Sequence, residues 1–163
     1  MFEVLFEPSQ EFVNNLSPTI QWLGIMLIAT IPFIESYFGS IIGIIAGVNP
    51  MIAIPAAIIG NIVSMLAFVF LASSVRKAFK GNVEEKPESK RRQKLRAAFD
   101  RYGVAAVSLI GPTIIASQIS STAMISFGAD RNRVIIWQII SIVMWGIMFG
   151  ALAHFGLEQL KRS

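Results

Sequence analysis

Glu35 is an acidic side chain within an apolar stretch, IPFIESYFGS at residues 31–40. A charge at the centre of a lipid bilayer costs about 2.5–3.5 kcal/mol or more, so a carboxylate in such a segment is expected to have a use. Pro32 breaks the helix ahead of Glu35, and the free helix N-terminus favours the carboxylate while burial favours the neutral acid. This position predicts a group that exchanges a proton. The alternatives are a structural carboxylate that caps the broken helix or, if the hairpin is shallow, an acid at the membrane interface.

Other polar residues of the apolar segments are candidates to complete a site with Glu35. Asn61 lies within the next apolar run, and a polar run, SQISST at residues 117–122, follows a second helix break. Hydrogen bonding within the protein, worth about 0.6 kcal/mol per pair in membranes, would explain the polar run without a substrate, and bonding between helices would equally explain Asn61. The predicted substrate and proton site comprises Glu35, Tyr37, Asn61, Ser117, Gln118 and Ser121.

Glycine and proline residues predict where helices break and where they pack. Three glycines of residues 39–47 recur at a spacing of four, a pattern that lets a second helix approach closely. A Gly-Pro pair interrupts residues 102–115, as a proline interrupts residues 22–34. The predicted hinge and packing residues are Pro32, Gly39, Gly43, Gly47, Gly60, Gly111 and Pro112.

The sequence lacks the residue combinations that most enzymes and metal sites need. It has no cysteine and one histidine, His154, which argues against thiolate and histidine-rich metal sites. We find no paired nucleophile and base, no phosphate-binding loop and no pair of catalytic carboxylates. We therefore expect neither enzymatic activity nor a metal or other cofactor.

The composition indicates an integral membrane protein. Of the 163 residues, 54% are hydrophobic and 15% are charged, with a mean hydropathy of +0.63, which is too apolar for a soluble domain. Residues 51–72 and 134–155 are uncharged apolar runs of more than about 20 residues, the length of a helix that crosses a bilayer. Asn49-Pro50 and Asp130 precede these runs as predicted N-terminal helix caps.

The two broken apolar regions, residues 16–48 and 102–127, have arms that are too short to cross. An arm of about 13 residues, at about 1.5 Å per residue, reaches only part of the way through a bilayer. A re-entrant helical hairpin fits each region best, and full spans through the same segments are the alternative. The predicted fold is an all-α integral membrane fold with two inverted repeats, each a re-entrant helical hairpin plus one transmembrane helix.

These repeats are expected within a single membrane domain, at about residues 16–73 and 102–156, with a basic loop and surface helix at 74–101. Ten of the fourteen Lys and Arg residues lie at 76–101, so the positive-inside rule places this loop in the cytoplasm. The acidic N-terminal segment, in which we expect no cleavable signal peptide, is then outside. Charge does not decide the side of the C-terminus.

The basic segment SKRRQKLRAAFDRYG is a candidate surface helix whose basic face suits anionic lipid headgroups. A solvated linker helix is an equally good interpretation. Because aromatic residues are not interleaved with the basic ones, we do not expect it to bind nucleic acid.

Several segments resemble the small multi-drug export protein family. PFIESYFGSIIGIIAGVNP and AIPAAIIGNIVSM match its Pro-x-x-Glu element, glycine-spaced arm and Gly-Asn pair, while RYGVAAVSLIGPTIIASQIS and GADRNR are similar in layout to its second hairpin and last helix. The resemblance implies paired re-entrant hairpins, as in the wider DedA/VTT group, which is linked to proton-dependent lipid-carrier translocation. It carries the family's acid to Glu35, its proline to Pro32 and its Gly-Asn pair to Gly60 and Asn61. Tyr37 stands where many relatives have an arginine, which weakens the case for an anionic phospholipid substrate.

These features predict a bacterial, multi-pass membrane transporter, coupled to protons through Glu35, that moves a lipid-like or small amphipathic solute. Its expected partners are that solute and membrane lipids, and a homo-oligomer is compatible with the sequence. The alternative is a non-transporting membrane scaffold or a lipid scramblase, in which Glu35 only caps a helix. An ion channel is less favoured because one acid and a few hydroxyls make a thin polar path.

Overall fold

The computed structural model describes residues 2–80, 103–111 and 114–162. Within these ranges the chain is helical and has no β-strand, which confirms the predicted all-α class. The helices are α1 (Phe2–Asn14), α2 (Gln21–Ile28), α3 (Glu35–Ile45), α4 (Pro50–Lys80), α5 (Val104–Ile110), α6 (Ser117–Ser126) and α7 (Arg131–Arg162). Pro112 and the predicted basic surface helix lie outside the described residues.

Helices α4 and α7 are long and apolar enough to cross a membrane. They have 31 and 32 residues and extend beyond the apolar runs from which they were predicted. Residues 74–80, predicted to begin the basic loop, instead form the end of α4. The apolar run ends near Ala72, but the following SSVRKAFK contains no helix breaker, so polarity changes there while the helix continues.

Side-chain caps fix the first turn of both long helices, as predicted. Oδ1 of Asn49 accepts a hydrogen bond from the backbone N–H of Met51 at 2.8 Å. Oδ1 of Asp130 accepts one from the backbone N–H of Arg133 at 2.9 Å. Each carboxylate or amide oxygen satisfies one of the backbone donors that a helix start leaves without an intrahelical partner.

The chain forms two compact units, each defined by the contacts among its own residues. Unit 1 consists of Met1–Ser64 and Ile142–Ser163, and unit 2 of Met65–Ser141. The division falls inside α4 and α7, and it does not follow the predicted repeat bounds at about residues 16–73 and 102–156. The inverted repeat therefore stays a prediction.

Helix α3 is the centre of unit 1, and α2 packs beside it in the opposite direction. A Cβ atom added at Gly39 would lie 3.1 Å from Cβ of Ala29, and one added at Gly43 would lie 2.5 Å from Cδ1 of Ile25. Because the α2 contacts run backward as the α3 contacts run forward, the two helices form a helical hairpin. The broken region 16–48 thus folds back on itself, as the hairpin prediction requires.

The turn of this first hairpin has an unusual backbone. The N–H of Ile34 bonds to the carbonyl of Ile31 at 3.2 Å, which closes a turn with Pro32 and Phe33 at its centre. Phe33 has φ 74° and Glu35, the first residue of α3, has φ 51°. Residues other than glycine rarely adopt positive φ, and each such position is strained by about 1–2 kcal/mol.

Unit 2 contains a second pair of short helices, α5 and α6, which contact each other. The carbonyl of Gly111 accepts hydrogen bonds from the N–H groups of Ile114 at 2.8 Å and Ile115 at 2.7 Å, so it ends the first arm. A Cβ atom added at Gly111 would lie 3.9 Å from Cβ of Ser120 on α6, an ordinary van der Waals distance. This break is looser than the contacts around α3.

Both short helices that precede a long helix end in the same way. Gly47 after α3 has φ +84°, and Gly128 after α6 has φ 101°. The next N–H in each case bonds five residues back, from Val48 to the Gly43 carbonyl at 3.0 Å and from Ala129 to the Met124 carbonyl at 2.9 Å. This is the Schellman motif, in which a left-handed glycine satisfies the last carbonyl groups of a helix.

Candidate functional site

Glu35 is buried in unit 1, with 1% of its surface exposed. Its backbone lies where Pro32 interrupts the chain and α3 begins, so the carboxylate belongs to the first turn of a short helix. The positive end of the helix dipole favours a negative charge at this place. Glu35 and Phe33 both have a strained backbone. Residues with such strain often occur at functional sites.

Asn61 is the predicted partner that lies closest in register to Glu35. A Cβ atom added at Gly39 would be 3.1 Å from Cβ of Ala57, and one at Gly43 would be 2.9 Å from Cβ of Ala53, so α3 and α4 are antiparallel. One further helical turn in this register leads from Gly39 to Glu35 and from Ala57 to Asn61. Both side chains are buried. The packing of α3 on α4 therefore aligns the predicted acid with the predicted amide.

Gly60 holds α2 and α4 at very close range beside this site. A Cβ atom at Gly60 would overlap the backbone carbonyl of Met26, and a backbone atom cannot turn aside as a side chain can. One turn farther along, the hydroxyl of Ser64 donates to the carbonyl of Thr30 at 2.8 Å. The Gly-Asn pair thus combines a position that requires glycine with the amide that follows it.

Tyr37 lies at the edge of the same region, half-buried. Its hydroxyl donates to the carbonyl of Phe33 at 3.3 Å, and its ring centroid is 4.5 Å from that of Phe38 and 5.7 Å from that of Phe149. The phenol therefore bridges the strained turn and the aromatic side chains of α3 and α7. This combination of a polar tip and an apolar body suits a wall of an amphipathic binding site.

The face by which α3 contacts α7 was not predicted from the sequence. Cβ atoms added at Gly146 and Gly150 would lie 3.1 Å from Cβ of Ser36 and 3.3 Å from Cβ of Ser40, respectively. The hydroxyl of Ser36 donates to the backbone carbonyl of Ile142 at 2.8 Å. Small residues spaced by four on both helices allow this approach. The signals were present in ESYFGS and WGIMFG, which have the same spacing as the glycines of α3.

The glycines predicted to pack do not all do so. Gly39 and Gly43 lie against neighbouring helices, as described above. At Gly47 a Cβ atom would meet nothing within 4 Å, and its positive φ makes it the turn glycine after α3. Three glycines at a spacing of four therefore serve two purposes, packing in the helix and reversal of the chain at its end.

The predicted polar residues of the second hairpin, Ser117, Gln118 and Ser121, are buried in unit 2. The hydroxyl of Ser121 donates to the backbone carbonyl of Gln118 at 3.0 Å, and that of Thr122 to the same carbonyl at 2.7 Å. The hydroxyl of Ser117 donates to Oε1 of Gln118 at 3.4 Å. These bonds stay within α6, and they are hydrogen bonding within the protein of the kind that needs no substrate.

Gln138 is a buried polar residue of α7 that bonds to α6 within unit 2. Its Nε2 donates to the hydroxyl of Ser120 at 3.0 Å. Within the described ranges, Oε1 of Gln138 and the hydroxyls of Ser108 and Ser141 are buried without a hydrogen-bond partner. The prediction that the polar run faces Glu35 joins residues of the two units, and it stays a prediction.

Among the described residues, no group of three or more Asp, Glu or His side chains is arranged to hold a metal ion. Comparison of the chain with protein-family models, with curated proteins and with solved structures finds no match. The resemblance to the small multi-drug export protein family therefore rests on the motifs quoted above.

Proposed function

We propose that the chain is a multi-pass protein of the cell membrane. In the most apolar 18-residue stretch of each helix, 39% is buried in α4 and 33% in α7, so most of each stretch is partly or fully exposed. Such surfaces are unfavourable in water and match the hydrocarbon of a bilayer. The outward-facing residues that expose more than half of their surface include Ile59, Val63, Leu71, Ile136, Ile147 and Leu152.

The antiparallel contacts of α4 and α7 support one topology of this membrane protein. Cβ atoms added at Gly146 and Gly150 would lie 2.8 Å from Ile58 and 2.5 Å from Ile54, so the two helices run in opposite directions. Because the basic residues after α4 favour the cytoplasm, α7 begins there and the C-terminus is outside. This order agrees with re-entrant hairpins in both halves.

Within this membrane protein, we propose that Glu35 couples proton exchange to transport of a lipid-like or small amphipathic solute. The observation that carries the proposal is the burial of this carboxylate at a strained helix break, among helices that meet through small residues. Protonation removes the charge that the helix start favours, and so changes the balance of contacts that α3 makes with α4 and α7. A two-state rearrangement of this kind is what a proton-coupled carrier needs.

Transport assays in proteoliposomes test this role. Vesicles with an imposed pH gradient are loaded with ethidium, a fluorescent amphipathic cation, or contain a phospholipid with a fluorescent headgroup. We expect gradient-dependent movement of at least one probe, its loss in Glu35→Gln, and its partial retention in Glu35→Asp. Glu11→Gln, which changes an exposed acid of α1, is the matched control and should behave as the unchanged protein. Equal transport by Glu35→Gln would exclude proton coupling at this residue.

The same vesicles separate the alternative function. A scramblase equilibrates the labelled phospholipid between leaflets without any gradient, and Glu35→Gln would leave that rate unchanged if the carboxylate only caps α3. A scaffold moves neither probe. Topology is tested separately by single cysteines at residues 21 and 48 in this naturally cysteine-free chain, since both ends of the first hairpin should label from the outside.

A further inference from the structure

Unit 2 contains a groove of about 450 Å³ that is distant in sequence from Glu35. One face of α4 forms its apolar wall, and two hydroxyl-bearing residues one turn apart on α6 form the opposite wall. Among the described residues that line it, none is acidic and one is cationic. The lining residues that matter here are Phe68, Leu71, Val75, Arg76, Thr122 and Ser126.

The groove has the polarity profile of a lipid along its length. Phe68 and Leu71 lie within the apolar run of α4, whereas Arg76 lies about 6 Å beyond the end of that run at about 1.5 Å per residue. The run at 51–72 spans about 33 Å, close to the hydrocarbon thickness of about 30 Å, so Arg76 reaches the headgroup layer. The cation is thus at the depth of a phosphate, and the apolar wall is at the depth of an acyl chain.

Toward a ligand, the hydroxyls of the opposite wall can act only as hydrogen-bond acceptors. Oγ1 of Thr122 donates to the Gln118 carbonyl at 2.7 Å, and Oγ of Ser126 donates to the Thr122 carbonyl at 2.9 Å. Because their hydrogens are used within α6, their free lone pairs suit a ligand with hydroxyl donors. The guanidinium of Arg76 supplies donors only, in a geometry that matches a phosphate.

Charge complementarity selects among the occupants of this groove. Arg76 is the one charged residue among the described residues that line it. A basic peptide segment would be repelled by this arginine, whereas an anionic headgroup would be attracted. An apolar wall next to such a cation excludes a fully soluble anion as the best-fitting ligand.

We propose that this groove is a binding site for one anionic phospholipid of the phosphatidylglycerol type, with its phosphate on Arg76 and an acyl chain along Leu71 and Phe68. The lipid is a resident ligand of unit 2 and is distinct from the solute proposed to move at Glu35. The inference rests on the proposed membrane location but not on the proposed transport activity.

The test is lipid binding to the full chain in detergent, measured by native mass spectrometry and by thermal stability. Phosphatidylglycerol should bind and raise the melting temperature. Phosphatidylcholine with the same acyl chains should bind about tenfold less tightly and raise the melting temperature less. Arg76→Gln should weaken phosphatidylglycerol binding about tenfold, the effect of one lost charge-assisted hydrogen bond. Lys77→Gln is the matched control, because Lys77 is the next cation on α4 and does not line the groove.

The apolar wall is tested with a second pair of variants. Leu71→Asn should weaken phosphatidylglycerol binding, whereas Val63→Asn, at a similarly exposed position of α4 that does not line the groove, should not. Equal losses in Arg76→Gln and Lys77→Gln would show that only general surface charge attracts the lipid, and would overturn the proposal. Equal binding of soluble glycerol phosphate would also overturn it, because the groove would then contribute nothing. If Arg76→Gln loses lipid binding but the same preparation still transports, the lipid site acts independently of Glu35.

Discussion

In the first hairpin, α2 and α3, the hydroxyl of Ser36 bonds across to the Ile142 carbonyl on α7, whereas in the second, α5 and α6, the hydroxyls of Ser121 and Thr122 bond within α6. The first hairpin also has two residues with positive φ at its break. A Cβ atom at Gly39 would lie 3.1 Å from Cβ of Ala29 across the first hairpin, while Gly111 in the second has ordinary van der Waals contacts. Among the described residues, the hairpin with the closer helix contacts is the one that contains the buried acid.

The difference shows that similar turns do not determine how tightly a hairpin packs against its neighbouring helices. Both hairpins end in a Schellman glycine and lead into a long helix through an Asn or Asp cap. What separates them is the set of small residues on neighbouring helices, which are remote in sequence. The comparison suggests that the first hairpin is a rigid support for Glu35 and that the second tolerates more change.

The largest expected effect is at the closest helix contact of unit 1. Gly60→Ala places a methyl group on the backbone carbonyl of Met26, so we expect a loss of about 3 kcal/mol or more in the free energy of unfolding. Gly156→Ala is the control, because a Cβ atom there meets nothing within 4 Å and a helical alanine is intrinsically favoured. Unfolding in mixed micelles with a denaturing detergent measures both. Similar stabilities of the two variants would contradict the close approach of α2 and α4.

The shared turn should give the same cost in both hairpins. Gly47→Ala and Gly128→Ala each force alanine into a left-handed conformation, with an expected loss of about 1–2 kcal/mol. Gly111→Ala, at φ −52°, should change stability by less than about 0.5 kcal/mol. A cost confined to one of the two turn glycines would mean that the turns differ energetically despite their identical hydrogen bonds.

The next effect has the opposite sign and tests the polar interior of unit 2. Gln138→Met removes a buried Oε1 that has no partner among the described residues and keeps the shape of the side chain. Ser120 can still donate to the Ser117 carbonyl, so no new unpartnered donor is created. We expect stabilisation of about 1 kcal/mol, since an unsatisfied buried polar atom costs about 1–3 kcal/mol. Destabilisation would instead indicate that Gln138 binds water or a solute.

The sequence was sufficient for features that are encoded locally. The all-α class, the caps at Asn49 and Asp130, and the helix breaks near Pro32 and Gly111 depend on residue types within a few positions of one another. The composition likewise predicted long apolar helices. The ends of α4 and α7 were not predicted, because hydropathy reports where apolar side chains stop and not where helical hydrogen bonding stops.

The parts of the candidate site that could not be predicted depend on contacts between remote segments. Spacing in ESYFGS identifies Ser36 and Ser40 as a small face, but only the fold shows that Gly146 and Gly150 lie against it. The same limit applies to Gly47, whose spacing matches the packing glycines although its backbone belongs to a turn. The strain at Phe33 was hidden because phenylalanine gives no signal for positive φ.

The smallest expected effect is the most direct test of the contrast between the hairpins. Ser36→Ala removes a hydrogen bond between helices, for which we expect a loss of about 0.6 kcal/mol and at most about 1.7 kcal/mol. Ser121→Ala removes a bond to the backbone of its own helix, where the carbonyl of Gln118 also accepts from Thr122, so the expected change is smaller than about 0.3 kcal/mol. Both variants are compared by unfolding in the same micelles, with Ser126→Ala as an exposed control that makes a similar bond within α6. If Ser121→Ala is as destabilising as Ser36→Ala, Ser121 also holds helices together, as Ser120 does through Gln138, and the distinction between a rigid and a tolerant hairpin is lost. If only Ser36→Ala is affected, α3 is held to α7 by side-chain bonding as well as by small-residue packing, which fixes the helix that begins at Glu35.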